Sequence, residues 1–173
     1  MEPMLRWGYT ALNPLPRRGQ HLHFEPSAFV TDPEVVQALL KRSIPIACDA
    51  DRILFRQGDA PMALYILEKG EVTLAMSSAE GKPILSFETT AGSLLGLPGL
   101  IGNQPYSLTA IAHAGAQVSY IPHDDFTALM QADPPLSLKI LLVLAAEVRS
   151  ARAHYLSACV NCPSGAPSRP GKC

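Results

Sequence analysis

Few side chains in this 173-residue chain suit metal or nucleophilic chemistry, and most of those lie near its two ends. His21 and His23 form an H-x-H pair close to Glu25, a spacing that can ligate a metal ion. The arm that carries them is rich in proline, and in such an arm the same pair is more often plain polar surface. The metal interpretation and the surface interpretation both remain open at this point.

The second group is a set of thiols at the C-terminal end, Cys159, Cys162 and Cys173, for which Cys48 or a histidine could be a fourth ligand. A CxxC pair allows a metal or redox sensor, or a disulfide switch across Cys159 and Cys162. Free thiols in a flexible tail are the simpler interpretation, because residues 159–173 are rich in proline and glycine. We therefore expect no resident metal or cofactor.

Motifs of the common enzyme classes do not occur. There is no Ser-His-Asp order, paired carboxylate motif, P-loop or H-E-x-x-H, and the five histidines are scattered. A cupin-like metal enzyme is the nearest enzymatic alternative, but it needs two histidines on a barrel strand, and His21 and His23 precede the first predicted strand. We expect a protein that is not an enzyme.

Charge and hydropathy limit the partners. The chain has 14 basic and 15 acidic side chains, which argues against a nucleic acid bound by bulk charge. The N-terminus has no apolar signal core, and the longest uninterrupted apolar run, Ile140 to Ala146, is far short of the ~20 residues of a membrane helix. We expect a soluble, cytoplasmic protein with no membrane partner.

The residues between positions 30 and 122 predict one helix followed by strands. Asp32 or Thr31 can cap a helix that has Pro33 in its first turn and ends before Pro45. From Ile44 the apolar period changes to two, which indicates short strands at 44–47, 53–55, 64–67, 72–76, 84–89, 106–112 and 117–121. Strands so short, with close-set turns, predict an antiparallel barrel, roll or sandwich.

Beyond Pro122 the period returns to 3.6. It predicts a short helix from His123 to about Gln131, a break at Asp133-Pro134-Pro135, and a long helix to about Ala158. The long helix carries apolar residues at alternating spacings of three and four, which is typical of a coiled-coil seam: Leu141, Leu144, Val148, Ala151, Tyr155 and Ala158.

A second apolar face of the same helix consists of Leu138, Leu142, Ala145 and Ala146. A helix that is apolar on two faces needs two partners. We expect one partner to be the roll and the other to be the same helix of a second copy, which would give a homodimer. The alternative is that the seam packs internally.

Three segments at regular spacing identify a family. Phe55-Arg56-Gln57-Gly58-Asp59, Leu64-Tyr65-Ile66-Leu67 and Gly70-Glu71-Val72 resemble the strand–turn–strand signature of the cyclic-nucleotide-binding domain of the Crp/Fnr superfamily. Glycines at 58 and 70 suit tight turns that need positive φ. The similarity extends from about residue 30 to residue 158.

The resemblance implies a mainly β fold with flanking helices. It would be an antiparallel double-stranded β-helix, or jelly roll, followed by a long C-terminal dimerisation helix. The expected segments are an extended arm (1–29), a β-roll sensor domain (30–132), the dimerisation helix (133–158) and a flexible tail (159–173). The family is bacterial, regulatory and related to transcription.

The family's phosphate cassette falls on residues 96–110, where Gly96, Pro105 and Ser107 match its pattern. Leu97 stands where the family has the glutamate that holds the ribose hydroxyl. Tyr106 stands where it has the arginine that pairs with the cyclic phosphate. Because a desolvated phosphate needs a charge-assisted partner, we predict that the chain does not bind cyclic AMP or cyclic GMP in the usual way.

In the segment that begins with Pro98-Gly99-Leu100, the backbone N–H groups from Gly99 onward could still cradle an anion. The degenerate pocket would therefore be formed by Gly96, Leu97, Pro98, Gly99, Tyr106 and Ser107.

Three functions remain open. The first is a sensor in which a small, apolar-leaning ligand sits between the cassette and the long helix and shifts the helix pair of a dimer. The tyrosine hydroxyl would then be a polar handle, although Leu97 and Tyr106 could equally close the pocket as core. The second is a ligand-free dimerisation or protein-interaction adaptor. The third is the thiol or metal redox sensor described above.

Family transcription factors carry a winged helix-turn-helix after the long helix, and residues 159–173 do not fit one. If this chain is complete, we expect it not to bind DNA by itself. If it is part of a longer protein, it would be the sensor half of a regulator.

Overall fold

The computed structural model of the chain describes residues 26–160, and their side chains from 27 to 153. The predicted metal group at His21, His23 and Glu25 lies outside the described residues, as do Cys162, Cys173 and the side chains of Tyr155 and Cys159.

Two four-stranded antiparallel sheets face each other and form a jelly roll, which confirms the predicted fold class. One sheet has the order β1-β8-β3-β6 and the other the order β2-β7-β4-β5. The strands are β1 Ile44–Ala47, β2 Arg52–Phe55, β3 Ala63–Lys69, β4 Val72–Ser77, β5 Pro83–Thr89, β6 Leu94–Leu95, β7 Thr109–Ala112 and β8 Gln117–Pro122.

Helices flank the roll in the predicted order. They are α1 Pro33–Leu40, α2 Leu97–Gly102, α3 His123–Ala132 and α4 Pro134–Val160, preceded by a 3₁₀ turn at Pro26–Phe29. The side chain of Asp32 accepts a hydrogen bond from Glu34 N at 2.8 Å, so the cap of α1 is Asp32 and not Thr31. Helix α4 begins at Pro134 and extends two residues beyond Ala158.

The prediction of a strand over 106–112 was wrong in its first three residues. Strand β7 begins at Thr109, because Tyr106 bonds to the turn at Gly58-Asp59 instead. Gly58 N–H donates to the Tyr106 carbonyl at 2.8 Å, and Tyr106 N–H donates to the Asp59 carbonyl at 2.9 Å. These two bonds draw residue 106 out of the sheet ladder and turn its side chain toward the interior, where it is buried.

Strand β6 was not predicted. It has two residues, which is too short for a periodicity to be visible in sequence. Leu94 and Leu95 pair with Ile66 and Tyr65 of β3 and lead directly into α2. This short strand therefore sets where the cassette residues begin.

The turn glycines behave as predicted, with φ of +91° at Gly58 and +83° at Gly70. At Gly70 there is a second reason for glycine. A Cβ there would lie 2.8 Å from the Cα of Ala116, a distance at which backbone atoms would have to move.

Two hydrophobic cores support the site. One joins α1, α3 and α4 to the back of β3 and includes Leu39, Ile66, Leu97 and Ile140. The other fills the roll and includes Phe55, Leu74 and Tyr106. Phe29 of the 3₁₀ turn is also buried in the second core, with its ring centroid 5.3 Å from that of Phe87, so the last residue of the predicted arm belongs to the roll.

Among the described residues no single helix is long and apolar enough to cross a membrane. Helices α3 and α4 reach that length and composition only as a pair bent by 118°.

Candidate functional site: an apolar cavity under helix α4

A cavity of about 280 Å³ lies between the interior of the roll and helix α4. Its walls come from β2, β4, β5 and the cassette residues after β6, and α4 covers one side. The volume is close to the lower end of the ~300–1,000 Å³ typical of ligand sites. Representative side chains of the wall are Phe55, Leu74, Leu85, Pro98, Leu144 and Val148.

Five of the six predicted pocket residues line this cavity, namely Gly96, Pro98, Gly99, Tyr106 and Ser107. Leu97 does not. It is fully buried in the core between α2, β3 and the helices, because the first turn of α2 directs it away from the roll. The leucine at the glutamate position therefore supports α2 from behind and is not part of the cavity wall.

The side chain of Tyr106 is part of the cavity wall, and its contacts fix its position. Its hydroxyl donates to the carbonyl of Ala63 at 2.6 Å and accepts from the N–H of the same residue at 3.0 Å. Its ring stacks on Phe55 with centroids 4.1 Å apart and 26° between the planes. The hydroxyl is thus already paired with backbone, so it is not the free polar handle considered from the sequence.

Burial raises the pKa of Tyr106 to about 12, so the side chain is neutral at physiological pH. No Lys or Arg side chain lines the cavity among the described residues. A cyclic phosphate would therefore find no cation on this wall.

Gly96 allows the tyrosine to occupy this place. A Cβ at residue 96 would lie 2.7 Å from Cε1 of Tyr106, and its φ is +87°. Gly99 is nearly as close, at 3.2 Å from Cδ1 of the same ring. The two cassette glycines and the tyrosine thus form one packed unit at the N-terminal end of α2.

The sequence interpretation missed one candidate site residue, Glu147 on α4. It lines the cavity, is only 7% exposed, and its Oε1 has no hydrogen-bond partner among the described residues. Burial raises the pKa of this carboxyl to about 8. A signal was present in the sequence, because Glu147 is the only charged residue between Lys139 and Arg149 in a strongly apolar helix.

The predicted dimer seam on α4 divides into two parts. Leu144, Val148 and Ala151 line the cavity, so this part faces the chain's own roll. Leu141 lies one heptad before Val148 on the same side of the helix, but it is not part of the cavity wall and is 41% exposed. Leu138 and Leu142 are still more exposed, and Val148 keeps 42% of its surface accessible. The exposed apolar stripe of α4 is therefore Leu138, Leu141, Leu142 and Val148.

A Thr–His–Asp row lies elsewhere, on the sheet that contains β4. Thr73 Oγ1 is 2.7 Å from Nε2 of His113, and His113 Nδ1 is 3.6 Å from Asp51 Oδ1. Asp51 also accepts a hydrogen bond from Ala114 N at 2.9 Å, so the row ties the 113–115 turn to neighbouring strands. None of its members lines the cavity.

Comparison with known proteins supports the same fold. Residues 46–133 match the sequence model of the cyclic nucleotide-binding domain. A curated relative, the acetyltransferase Pat of Mycolicibacterium smegmatis, is 26% identical over 80 residues, which are 46% of this chain and 24% of that protein. The patatin-like phospholipase domain-containing protein 6 of Pongo abelii is 24% identical over 102 residues, 59% of this chain and 8% of that protein.

Solved structures of bacterial regulators share the architecture. The Thermus thermophilus catabolite activator protein superposes with a TM-score of 0.63 at 23% identity, covering 77% of this chain and 62% of that one. The sensor domain of the regulator DNR from Pseudomonas aeruginosa gives 0.55 at 24% identity, covering 70% and 82%. The c-di-GMP responsive regulator CLP of Xanthomonas campestris gives 0.57 at 18%, covering 75% and 62%. The chain thus spans under two thirds of two of these regulators and under a quarter of the curated relatives.

Proposed function

The chain belongs to the cyclic nucleotide-binding domain family, and we propose that it is a regulatory sensor domain of Crp/Fnr type whose cavity has lost the usual cyclic-nucleotide chemistry. The observation that carries this proposal is the position of Tyr106. A neutral ring, tied by its hydroxyl to Ala63, stands where a charge-assisted partner for phosphate would be needed.

The cavity favours a small, apolar-leaning ligand. Its wall is built mainly from aliphatic and aromatic side chains, and no cation on it could pair with an anion. The sensor would accordingly not bind cyclic AMP or cyclic GMP at the concentrations that saturate ordinary family members.

The signal leaves the site through helix α4. Leu144, Glu147 and Val148 touch the cavity, while Leu138 and Leu142 on the opposite face are exposed. A ligand that moves the side of α4 that touches the cavity must also move its exposed side, because both belong to one rigid helix. The exposed stripe is the proposed contact with a second copy, which would make the protein a homodimer. In this proposal the domain acts in the cytoplasm as a regulatory module and does not itself catalyse a reaction.

Native mass spectrometry of the purified protein tests the proposal, first alone and then with cyclic AMP. We expect a dimer that carries a small unexplained mass, which a denatured spectrum of the same sample lacks. Added cyclic AMP should leave the spectrum unchanged. Binding of cyclic AMP at micromolar concentration or tighter, measured by calorimetry, would contradict the proposal.

A ligand-free adaptor is the second candidate, and one observation favours it. Tyr106 is fixed by stacking and two hydrogen bonds, as a residue that closes a disused pocket would be. A dimer of apo mass that retains no small molecule would favour this candidate. The redox sensor through Cys159, Cys162 and Cys173 stays a prediction, to be tested by thiol titration.

A further inference from the structure

The carboxyl of Glu147 has no partner of its own within the described residues. Its Oε1 is buried without a hydrogen bond although the side chain lines a cavity. A buried carboxyl left unpaired costs stability, because no hydrogen bond offsets its loss of contact with water. A ligand that pairs with the carboxyl would offset this cost, and the cavity in front of Glu147 is large enough for one.

The surrounding charges indicate which ligand could complete it. The walls from the 3₁₀ turn, β2, β4, β5, β6 and α2 present carbon or backbone to the cavity. Tyr106 is the one other titratable side chain on the wall among the described residues, and it is neutral. Arg149 and Arg152, on the helix of Glu147 itself, are exposed, as is Arg56 beside Phe55. A cation that pairs with an ionised Glu147 would therefore have to come with the ligand.

The rest of the cavity suits an apolar body attached to that charge. Phe55 and the stacked Tyr106 offer aromatic surface for that body. Leu74, Leu85 and Val148 supply aliphatic surface. An anion of the same size would meet the carboxyl and no cation.

We propose that the cavity binds a small hydrophobic amine, whose ammonium group pairs with the Glu147 carboxylate while its apolar body lies against Phe55 and Leu74. This inference rests on the sensor function proposed above and gives that sensor a ligand class.

Binding would displace a proton. The free protein holds Glu147 as a carboxylic acid at neutral pH, and the amine arrives as an ammonium ion. On pairing, the carboxyl O–H bond breaks, its proton goes to the buffer, and the carboxylate accepts hydrogen bonds from the ammonium. With a pKa of about 8, the release should be about 0.9 proton at pH 7 and about 0.1 at pH 9.

Isothermal calorimetry with three probes of similar shape tests the inference. The probes are 2-phenylethylamine, its neutral analogue 2-phenylethanol, and the anion 3-phenylpropionate. Titrations in buffers of different ionisation enthalpy give the number of protons released. The variant Glu147→Gln keeps the side-chain size, and Glu88→Gln, at an exposed position of β5, is the matched control.

For the unmodified protein we expect the amine to bind at least about tenfold tighter than the alcohol, and the anion not to bind. Glu147→Gln should lose that tenfold preference and the proton release, and keep its affinity for the alcohol within about threefold. Glu88→Gln should behave as the unmodified protein. If the fold does not accommodate the amide of Glu147→Gln, the variant Glu147→Leu removes the ionisable group with a side chain of different shape.

Equal binding of amine and alcohol would overturn the amine inference and leave an apolar-ligand sensor in place. Retained amine preference in Glu147→Gln would also overturn it. If none of the three probes binds, the amine inference fails, and the native mass spectrum then decides separately whether the cavity holds any ligand.

Discussion

The substitution Glu147→Gln tests the electrostatics of the cavity without any ligand, because it removes an ionisable group and keeps its size. Burial raises the pKa of this carboxyl from 4.5 to about 8. A group whose pKa is higher in the folded state stabilises that state fully below the unfolded pKa, and the contribution is lost as the pH rises through the folded pKa. The free energy of unfolding of the unmodified protein should therefore fall between about pH 4.5 and pH 8.

The magnitude follows from the pKa difference, at about 1.4 kcal/mol for each unit. At pH 7 the free energy of unfolding with Glu147 should be about 3 kcal/mol lower than with a neutral side chain of the same shape at this position. Between pH 5 and pH 8 the stability advantage of Glu147→Gln over the unmodified protein should grow by about 3 kcal/mol. The amide still leaves polar atoms unpaired, so the growth with pH is more informative than the absolute difference.

Urea unfolding at pH 5, 6, 7 and 8, followed by circular dichroism, measures this difference. Glu88→Gln is again the control, because its carboxyl is exposed. Stability curves of Glu147→Gln and the unmodified protein that run parallel across this pH range would refute the argument, since they would show that the carboxyl is not held in its neutral form.

Two further predictions concern packing and assembly. Gly96→Ala should lower the free energy of unfolding, measured in urea, by about 2 kcal/mol more than the control Gly81→Ala does. Both alanines are strained by a positive φ, but only the alanine at position 96 places a methyl group against Tyr106. Equal destabilisation by the two substitutions would show that the ring moves freely. Leu142→Glu, on the exposed stripe of α4, should raise the dimer dissociation constant at least about tenfold in light-scattering chromatography. The control Ile84→Glu, at an equally apolar exposed site on β5, should leave the dimer intact; an unchanged dimer in the Leu142 variant would place the interface elsewhere.

Local patterns in the sequence predicted most of the secondary structure. The segments with an apolar period of two predicted strands whose ends lie within one or two residues of the ends of β1, β2 and β8. Asp32, the observed cap of α1, was one of the two caps predicted. These features depend on neighbouring residues only, through side-chain alternation and the free N–H groups of a helix start. The two-residue strand β6 carries no such pattern and became visible only in the fold.

The site was predictable in part. The resemblance to the family's cassette singled out Tyr106 and Gly96, and both line the cavity; their role in binding stays a prediction. It could not show that Leu97 faces the opposite core, because the orientation of α2 depends on its packing against β3. Nor could it show the hydroxyl of Tyr106 paired with Ala63, which is 43 positions earlier in the chain.

The residue patterns alone therefore determined an antiparallel barrel, roll or sandwich followed by a long helix, and the absence of a cation at position 106. The resemblance to the Crp/Fnr superfamily narrowed the β fold to a jelly roll. Periodicity, turn chemistry and residue identity are local properties, so they can be read without coordinates. Only the tertiary structure decided that α4 turns Glu147 into the cavity and Leu142 outward. The helix is apolar on more than one face, so which side is covered depends on its packing against the roll, and that contact joins residues far apart in the chain.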